Sequence, residues 1–246
     1  MQGSTAAARA GLVAAAEHAG YARAVSPLAE LFPLPTHPAR VPHHAHARDR
    51  HPFTFVAERL WLDFVNTDTA LRGTDPLHDF ARFVHWLGTA HVFDAERTSA
   101  MQRRAVQQPA GALAVLVDAR RVRSVLRTLA ERGDLLADAR LDALAEINRV
   151  LGRSAGTRRV ELRQDGTFAR AFVPVGDAFA GLLIPLVESA ADALILGELA
   201  RVRRCADPRC ARVFQDETKN GRRRWCDMAT CGNRAKAARH RMKLHA

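Results

Sequence analysis

The chain has 246 residues, 48% of them hydrophobic and 26% charged, the make-up of a globular protein long enough to bury a sizeable core. Aromatic residues are only 6%, so that core rests on Leu, Val, Ala and a few Phe. No apolar run approaches the roughly 18 residues that span a bilayer, and the short block around Leu12 is no signal peptide; the reading is a cytoplasmic protein that avoids membranes.

Residues 1–51 form an Ala/Pro/His-rich segment, read as disordered. Pro27, Pro33, Pro35, Pro38 and Pro42 break any long helix. His37, His43, His44, His46 and His51 have the composition of a solvated linker. Residues 52–200 follow as one domain. Val56, Leu60, Phe64 and Val65 fall at helical spacing, and Phe80, Phe83, Val84 and Leu87 repeat it behind Asp75-Pro76, a helix-start pair. Residues 111–132 read as a long amphipathic helix carrying Leu113, Leu116, Val117, Val122, Val125, Leu126 and Leu129. Gly133-Asp134 ends it, and another helix runs through Leu141, Leu144, Ile147 and Leu151.

The period then changes. Residues 159–163 alternate, and Asp165-Gly166 precedes Phe168, Phe172 and Val173, a β-hairpin signal. Helical period returns through Leu182, Leu183, Leu186, Val187, Leu194 and Leu199, with Pro185 kinking this helix or marking its first turn. Asp63, Asn66 and Thr67 share one helix face. They read either as the polar wall of a ligand-binding pocket in a sensor domain or as a face bonded to local backbone. His78, His85 and His91 have no Glu or Cys at a ligand spacing and read as ordinary histidines. No nucleophile elbow, P-loop or dinucleotide fingerprint is present, and the reading is non-enzymatic.

The formal charge is +11, and nearly all of it lies at one end. Residues 1–200 hold 23 Lys and Arg against 22 Asp and Glu, whereas residues 201–246 hold 14 against 4. All four cysteines lie there, as Cys205-x4-Cys210-x15-Cys226-x4-Cys231. Two close pairs on a spacer suit a tetrahedral zinc site. Two disulfides are the alternative, disfavoured in a cytosolic chain. So short a segment has too little apolar surface to fold alone, so metal must supply most of its folding free energy. Loss of metal is then expected to unfold 201–246 and spare a separate helical core. Four thiolates and one Zn2+ add about −2, which leaves a polyanion-binding surplus. Residues from Gly232 onward read as a helix presenting Arg234, Lys236, Arg239, Arg241 and Lys243, with Arg222, Arg223 and Arg224 on a strand entering Cys226.

The same residues carry a resemblance. Arg204-Cys205 through Cys210 to Phe214, Arg222-Arg223-Arg224-Trp225-Cys226 and Cys231-Gly232-Asn233-Arg234-Ala235-Lys236 resemble the CGNR zinc finger. Leu62-Asp63-Phe64-Val65-Asn66-Thr67 and Trp86-Leu87 resemble the ABATE domain that precedes it. The resemblance implies a stress-induced transcription regulator, with RNA binding also associated with the family.

The expected fold is a mostly α domain with one β-hairpin, plus a small C-terminal zinc-binding module built of a hairpin and a helix, treble-clef or ribbon-like. The expected function is zinc-dependent nucleic-acid binding, DNA before RNA, through Arg222, Arg223, Arg224, Arg234, Lys236 and Arg239. A protein-interaction adaptor with a purely structural zinc module stands beside it. A small-molecule effector and a homodimer stay open. The expected cofactor is Zn2+, held by Cys205, Cys210, Cys226 and Cys231.

Overall fold

The computed structural model describes residues 53–68, 73–133, 135–162, 168–175, 179 and 181–244. The reading of residues 1–51 and the Asp165-Gly166 turn lies outside them. The first helix, α1 (Leu60–Val65), is short but central: Trp61, Leu62, Phe64 and Val65 are fully buried. Helix α2 (Phe80–Thr89) follows, and Phe64 meets the Trp86 ring at 5.5 Å and the Phe83 ring at 6.2 Å. Each such side chain contributes roughly 1.5–3 kcal/mol by leaving water. Helix α2 does not start at Asp75-Pro76. Its cap is Asp79, whose carboxylate accepts from Arg82 N at 2.7 Å. Asp75 instead forms a two-armed pair with the buried Arg123.

Helix α3 (Ala95–Gln107) buries none of its residues, so it carries no apolar period to read. Helix α4 (Pro109–Arg132) and helix α5 (Ala137–Arg153) pack against each other. The core face of α4 is Ala112, Leu116, Ala119, Val122, Leu126 and Leu129, whereas Leu113 and Val117 are exposed. On α5 the buried side chains are Ala139, Ala143, Ile147 and Val150, and Leu141 and Leu144 face outward. Alanines let the two helices approach closely, and that displaced the expected leucine stripe.

Strands β1 (Gly156–Leu162) and β2 (Phe168–Pro174) form the hairpin, in register Gly156↔Pro174 to Leu162↔Phe168. Helix α6 (Ile184–Ile195) has Pro185 in its first turn, where a missing N–H costs nothing. It ends at Gly197, whose φ of 66° is the left-handed stop that glycine permits. A 3-10 turn (Glu198–Arg201) leads into β3 (Val202–Arg204), which pairs antiparallel with β4 (Val213–Gln215).

The expected separation of two cores is not found. Val213, Phe214 and all four cysteines belong to the same buried cluster as Trp61, Phe64 and Leu126. Polar groups reinforce this junction. The Asn66 side chain donates to Val213 O at 2.8 Å and accepts from Val213 N at 2.9 Å, acting as an added strand edge for β4. Gln215 N donates to Ala57 O at 2.9 Å. Arg59, only 7% exposed, donates through Nε and Nη2 to Glu198 and through Nη1 to Glu217. The C-terminal segment is thus seated on α1 by groups that could not be left unpaired in an apolar setting.

Asn66→Ala would orphan both buried backbone groups of Val213, at about 1–3 kcal/mol each. The expected result is a melting temperature lower by roughly 5–15 °C, read by thermal unfolding of the full chain. A change under 2 °C would show that this pairing does not hold the two parts together.

Candidate metal centre and basic face

The first cysteine pair sits in the turn between β3 and β4. Cys205 N donates to Arg212 O at 2.9 Å, extending the ladder by one rung, and Cys210 N donates to Asp207 O at 2.8 Å, closing the turn. The Asp207 carboxylate accepts from Arg209 N at 3.0 Å and locks it further. The second pair straddles a helix start. Asp227 accepts from Ala229 N, Thr230 N and the Thr230 hydroxyl, capping a π turn (Met228–Gly232) that carries Cys231. That turn runs directly into helix α7 (Asn233–Leu244). Ala206 N donates to Arg224 O at 2.8 Å, laying the 222–225 arm beside the first turn.

All four thiol sulfurs are buried and lie within 4.8 Å of one another. Cys210 and Cys226 are 3.7 Å apart, as are Cys226 and Cys231. A tetrahedron with metal–sulfur bonds of about 2.3 Å has edges of about 3.8 Å; a disulfide needs about 2.05 Å. The spacing fits a tetrathiolate metal site and not a pair of disulfides. Among the described residues it is the only cluster of metal-ligating side chains. Burial pushes the Cys226 and Cys205 thiols up, a cost that a cation among them removes.

Two family models match the chain in order. The first, described as "Putative stress-induced transcription regulator" (ABATE), covers residues 58–198, and the CGNR zinc finger model covers residues 201–243. The chain belongs to the ABATE family and carries a CGNR zinc finger. A comparison with curated proteins gives no match. The expected fold is thereby found: a mostly helical ABATE domain with one hairpin, then a finger of hairpin and helix in which the second cysteine pair lies at the helix start.

The structure divides the basic residues of the CGNR finger into two groups. Arg222, Arg224, Lys236 and Arg239 are exposed, and Arg224 stacks over the Trp225 ring at 5.2 Å. Arg223 turns inward. Its guanidinium lies 4.6 Å from the centre of the Phe214 ring and donates to Glu58 Oε1 at 3.2 Å, to Trp225 O at 3.0 Å and to Cys226 O. Arg234 lies 2.8 Å from Asp207 Oδ2 and 3.0 Å from Cys231 Sγ. The 222–225 arm is irregular chain, not the expected strand, because its backbone serves the cysteine turns. Arg203 and Arg204 are exposed on β3, beside that arm, and were not singled out in the sequence. Their signal was the sequence Arg-Val-Arg-Arg directly before the first ligand.

The polar face of α1 is spent inside the protein. Asp63, 2% exposed, accepts at Oδ1 from Val56 N and Ala57 N at 2.9 and 3.0 Å. Asn66 holds β4. Thr67 donates to Phe64 O at 2.6 Å and accepts from Arg123 at 3.1 Å. These three side chains fix the stretch on which the finger sits. Elsewhere in the ABATE domain a groove of about 350 Å3 between the hairpin and α6 is lined by Arg158, Val160, Arg170, Glu188 and Asp192. Ion pairs cross it, Arg158 to Glu188 at 2.6 Å and Arg170 to Asp192 at 3.8 Å. His78, His85 and His91 are exposed.

Because the cysteines share the core with Trp61 and Trp86, metal loss should reach the ABATE domain. Chelation, or Cys226→Ser, is expected to lower its melting temperature by about 10 °C or more, on the order of 3 kcal/mol or more at this chain length. Near-ultraviolet circular dichroism of the buried tryptophans is the readout. A domain transition unmoved by metal removal would restore the picture of two separate cores.

Burial also pushes the Asp63 carboxyl up to about 7, against the pull of the two backbone N–H groups. Its folded value lies above the unfolded one of about 3.9. The stability it contributes is full below about pH 4 and is lost as pH rises through about 7. The advantage of wild type over Asp63→Asn should therefore grow by about 2–3 kcal/mol between pH 8 and pH 5. Urea unfolding at both pH values tests this; a flat or reversed difference would place an ordinary carboxylate here.

Proposed function

We propose that this chain is a DNA-binding regulator whose CGNR finger grips duplex DNA and whose ABATE domain holds the finger in place. Cys205, Cys210, Cys226 and Cys231 bind one Zn2+ as thiolates, and the ion supplies the cross-link that so small a hairpin and helix lack. The observation that carries the reading is α7. This twelve-residue helix buries none of its side chains, carries five Lys and Arg and no acid, and is rooted at the metal turn. A helix with no apolar face gains nothing from its own protein's core, so its stabilising partner is a polyanion outside.

A helix about 10–12 Å across enters the major groove of B-DNA, about 12 Å wide. The A-form major groove of RNA is deep and narrow and does not admit one, which favours DNA. Lys236 and Arg239 project from α7, and Arg203, Arg204, Arg222 and Arg224 stand beside the metal turns to meet phosphates. Arg239 is the residue assigned to base edges. Arg223 is turned inward, and Arg234, though exposed, is engaged by Asp207 and Cys231, so neither is counted among the contacts. The cytoplasm is the compartment assigned to it.

With about four to six phosphate contacts, log K against log salt should have a slope of roughly −4 to −5 on B-DNA. Arg222→Ala with Arg224→Ala should reduce its magnitude by about two and weaken all sequences alike. Arg239→Ala should change sequence preference. Titration of the full chain against duplex DNA and structured RNA at several salt concentrations is the measurement. Salt-insensitive binding, or none, would move an adaptor role to first place.

A further inference from the structure

We propose that Arg234 is a positioning residue of the metal centre: its guanidinium bridges Asp207 of the first cysteine turn and the sulfur of Cys231 in the second, clasping the two halves of the thiolate set. The proposal rests on the assignment of the four cysteines as the zinc ligands.

The two cysteine pairs come from elements with no covalent link nearer than the 15 residues between Cys210 and Cys226. Something besides the ion must set their relative position. Arg234 is three residues beyond Cys231, one turn along the helix, so its side chain returns over the ligand. Its Nη2 lies 3.0 Å from Cys231 Sγ, and its Nε lies 2.8 Å from Asp207 Oδ2. Asp207 is only 5% exposed, and its other oxygen is held by Arg209 N. A carboxylate so enclosed is a fixed post, which the guanidinium meets as a close ion pair while its Nη2 donates to the sulfur.

The neighbouring residues place that guanidinium. Asn233 donates to Ala229 O at 3.0 Å, tying off a carbonyl of the π turn. A Cβ on Gly232 would have to displace the half-exposed Met228 side chain that lies over it. The four residues from Cys231 to Arg234 thus act in sequence as ligand, clearance, turn tie and clasp.

The clasp also offsets charge. A zinc ion with four thiolates carries about −2, and an N–H donor on a sulfur spreads part of it. Cys205 receives such a donor from the backbone, Cys226 N at 3.5 Å. Cys231 receives a side-chain cation. Groups that orient metal ligands from outside are worth roughly 10–100-fold in metal affinity.

The test uses the full chain as wild type, Arg234→Ala, Arg234→Lys, Asp207→Asn and, as a control, Arg239→Ala. Zinc affinity is read by competition with a chromophoric chelator and the sulfur environment by the charge-transfer band of the Co2+-substituted protein. Salt slope is read on duplex DNA at saturating zinc. The expected result for Arg234→Ala is a loss of roughly 10–100-fold in zinc affinity. Its charge-transfer band should move to longer wavelength, because the sulfur has lost a donor. Arg234→Lys, whose single ammonium cannot hold both partners, should fall between, and Arg239→Ala should match wild type in both readings. The salt slope of Arg234→Ala should stay at the wild-type value. Zinc affinity within twofold of wild type, an unmoved cobalt band, or a slope smaller by about one would each overturn the clasp. Where Arg234→Ala does not fold, weakened zinc binding in both Arg234→Lys and Asp207→Asn supports it and unweakened binding overturns it. A wild type without a tetrathiolate cobalt spectrum would overturn the ligand assignment itself. A wild type with that spectrum beside an unaltered Arg234→Ala overturns the clasp alone.

Discussion

Four sulfurs buried within 4.8 Å of one another cannot all be charged unless a cation sits among them. The rest of the C-terminal structure follows from that constraint. The segment has one fully buried aromatic, Phe214, and two strands of three residues each. Such a hairpin is not stable alone. The ion supplies a cross-link, and the ABATE domain supplies the apolar surface. Phe214 and Val213 complete their burial against the α1 region, and Asn66 gives β4 the hydrogen bonds that a neighbouring strand would have given. Two sequence families therefore share one core, and the finger depends on the domain before it as well as on the metal.

That dependence explains the distribution of polar groups at the junction. Asp63 ties Val56 and Ala57, Ala57 O accepts from β4, and Glu58 meets Arg223 of the finger. Glu58 has a φ of 67°, an unfavourable conformation for a residue with a Cβ. It persists because bonds on both sides fix the chain there. Asp63 is buried at the base of this arrangement, which raises its carboxyl toward neutrality. A group at the seat of the finger thus titrates near neutral pH.

Much of the fold was legible because its signals are local. The cysteine spacing, the alternation around the hairpin, the period of α2 and the charge step at residue 201 each need only a few neighbouring residues. What escaped needs the partner. Helix α3 buries no residue and meets the core only through the partly buried Met101 and Ala105, too little of a stripe to read, and Asp94 caps it by accepting from Arg97 N. On α5, Ala139 and Ala143 outrank Leu141 and Leu144 because the neighbouring helix comes close enough to exclude larger side chains. Asn66 finds Val213 across 147 residues of chain, a pairing no window of sequence contains. The spacing of Asp63, Asn66 and Thr67 marked a real polar face, and only the fold shows that it points into the protein.

The arginines show the same limit. Arg222, Arg223 and Arg224 are indistinguishable by composition, and only the fold turns the middle one inward while its neighbours stay exposed. Arg223 finds Phe214, Glu58 and two carbonyls, while Arg222 and Arg224 stay in water. On α7 the helical period makes the division instead. Arg234 lies one turn from Cys231 and returns to the sulfur, whereas Lys236 and Arg239 point away from it. A basic segment of this kind therefore carries two populations of cation. One population is engaged by the protein itself, Arg223 by Glu58, Phe214 and two carbonyls and Arg234 by Asp207 and the Cys231 sulfur. The other, Arg222, Arg224, Lys236 and Arg239, stays exposed, and among the described residues no ion pair holds it.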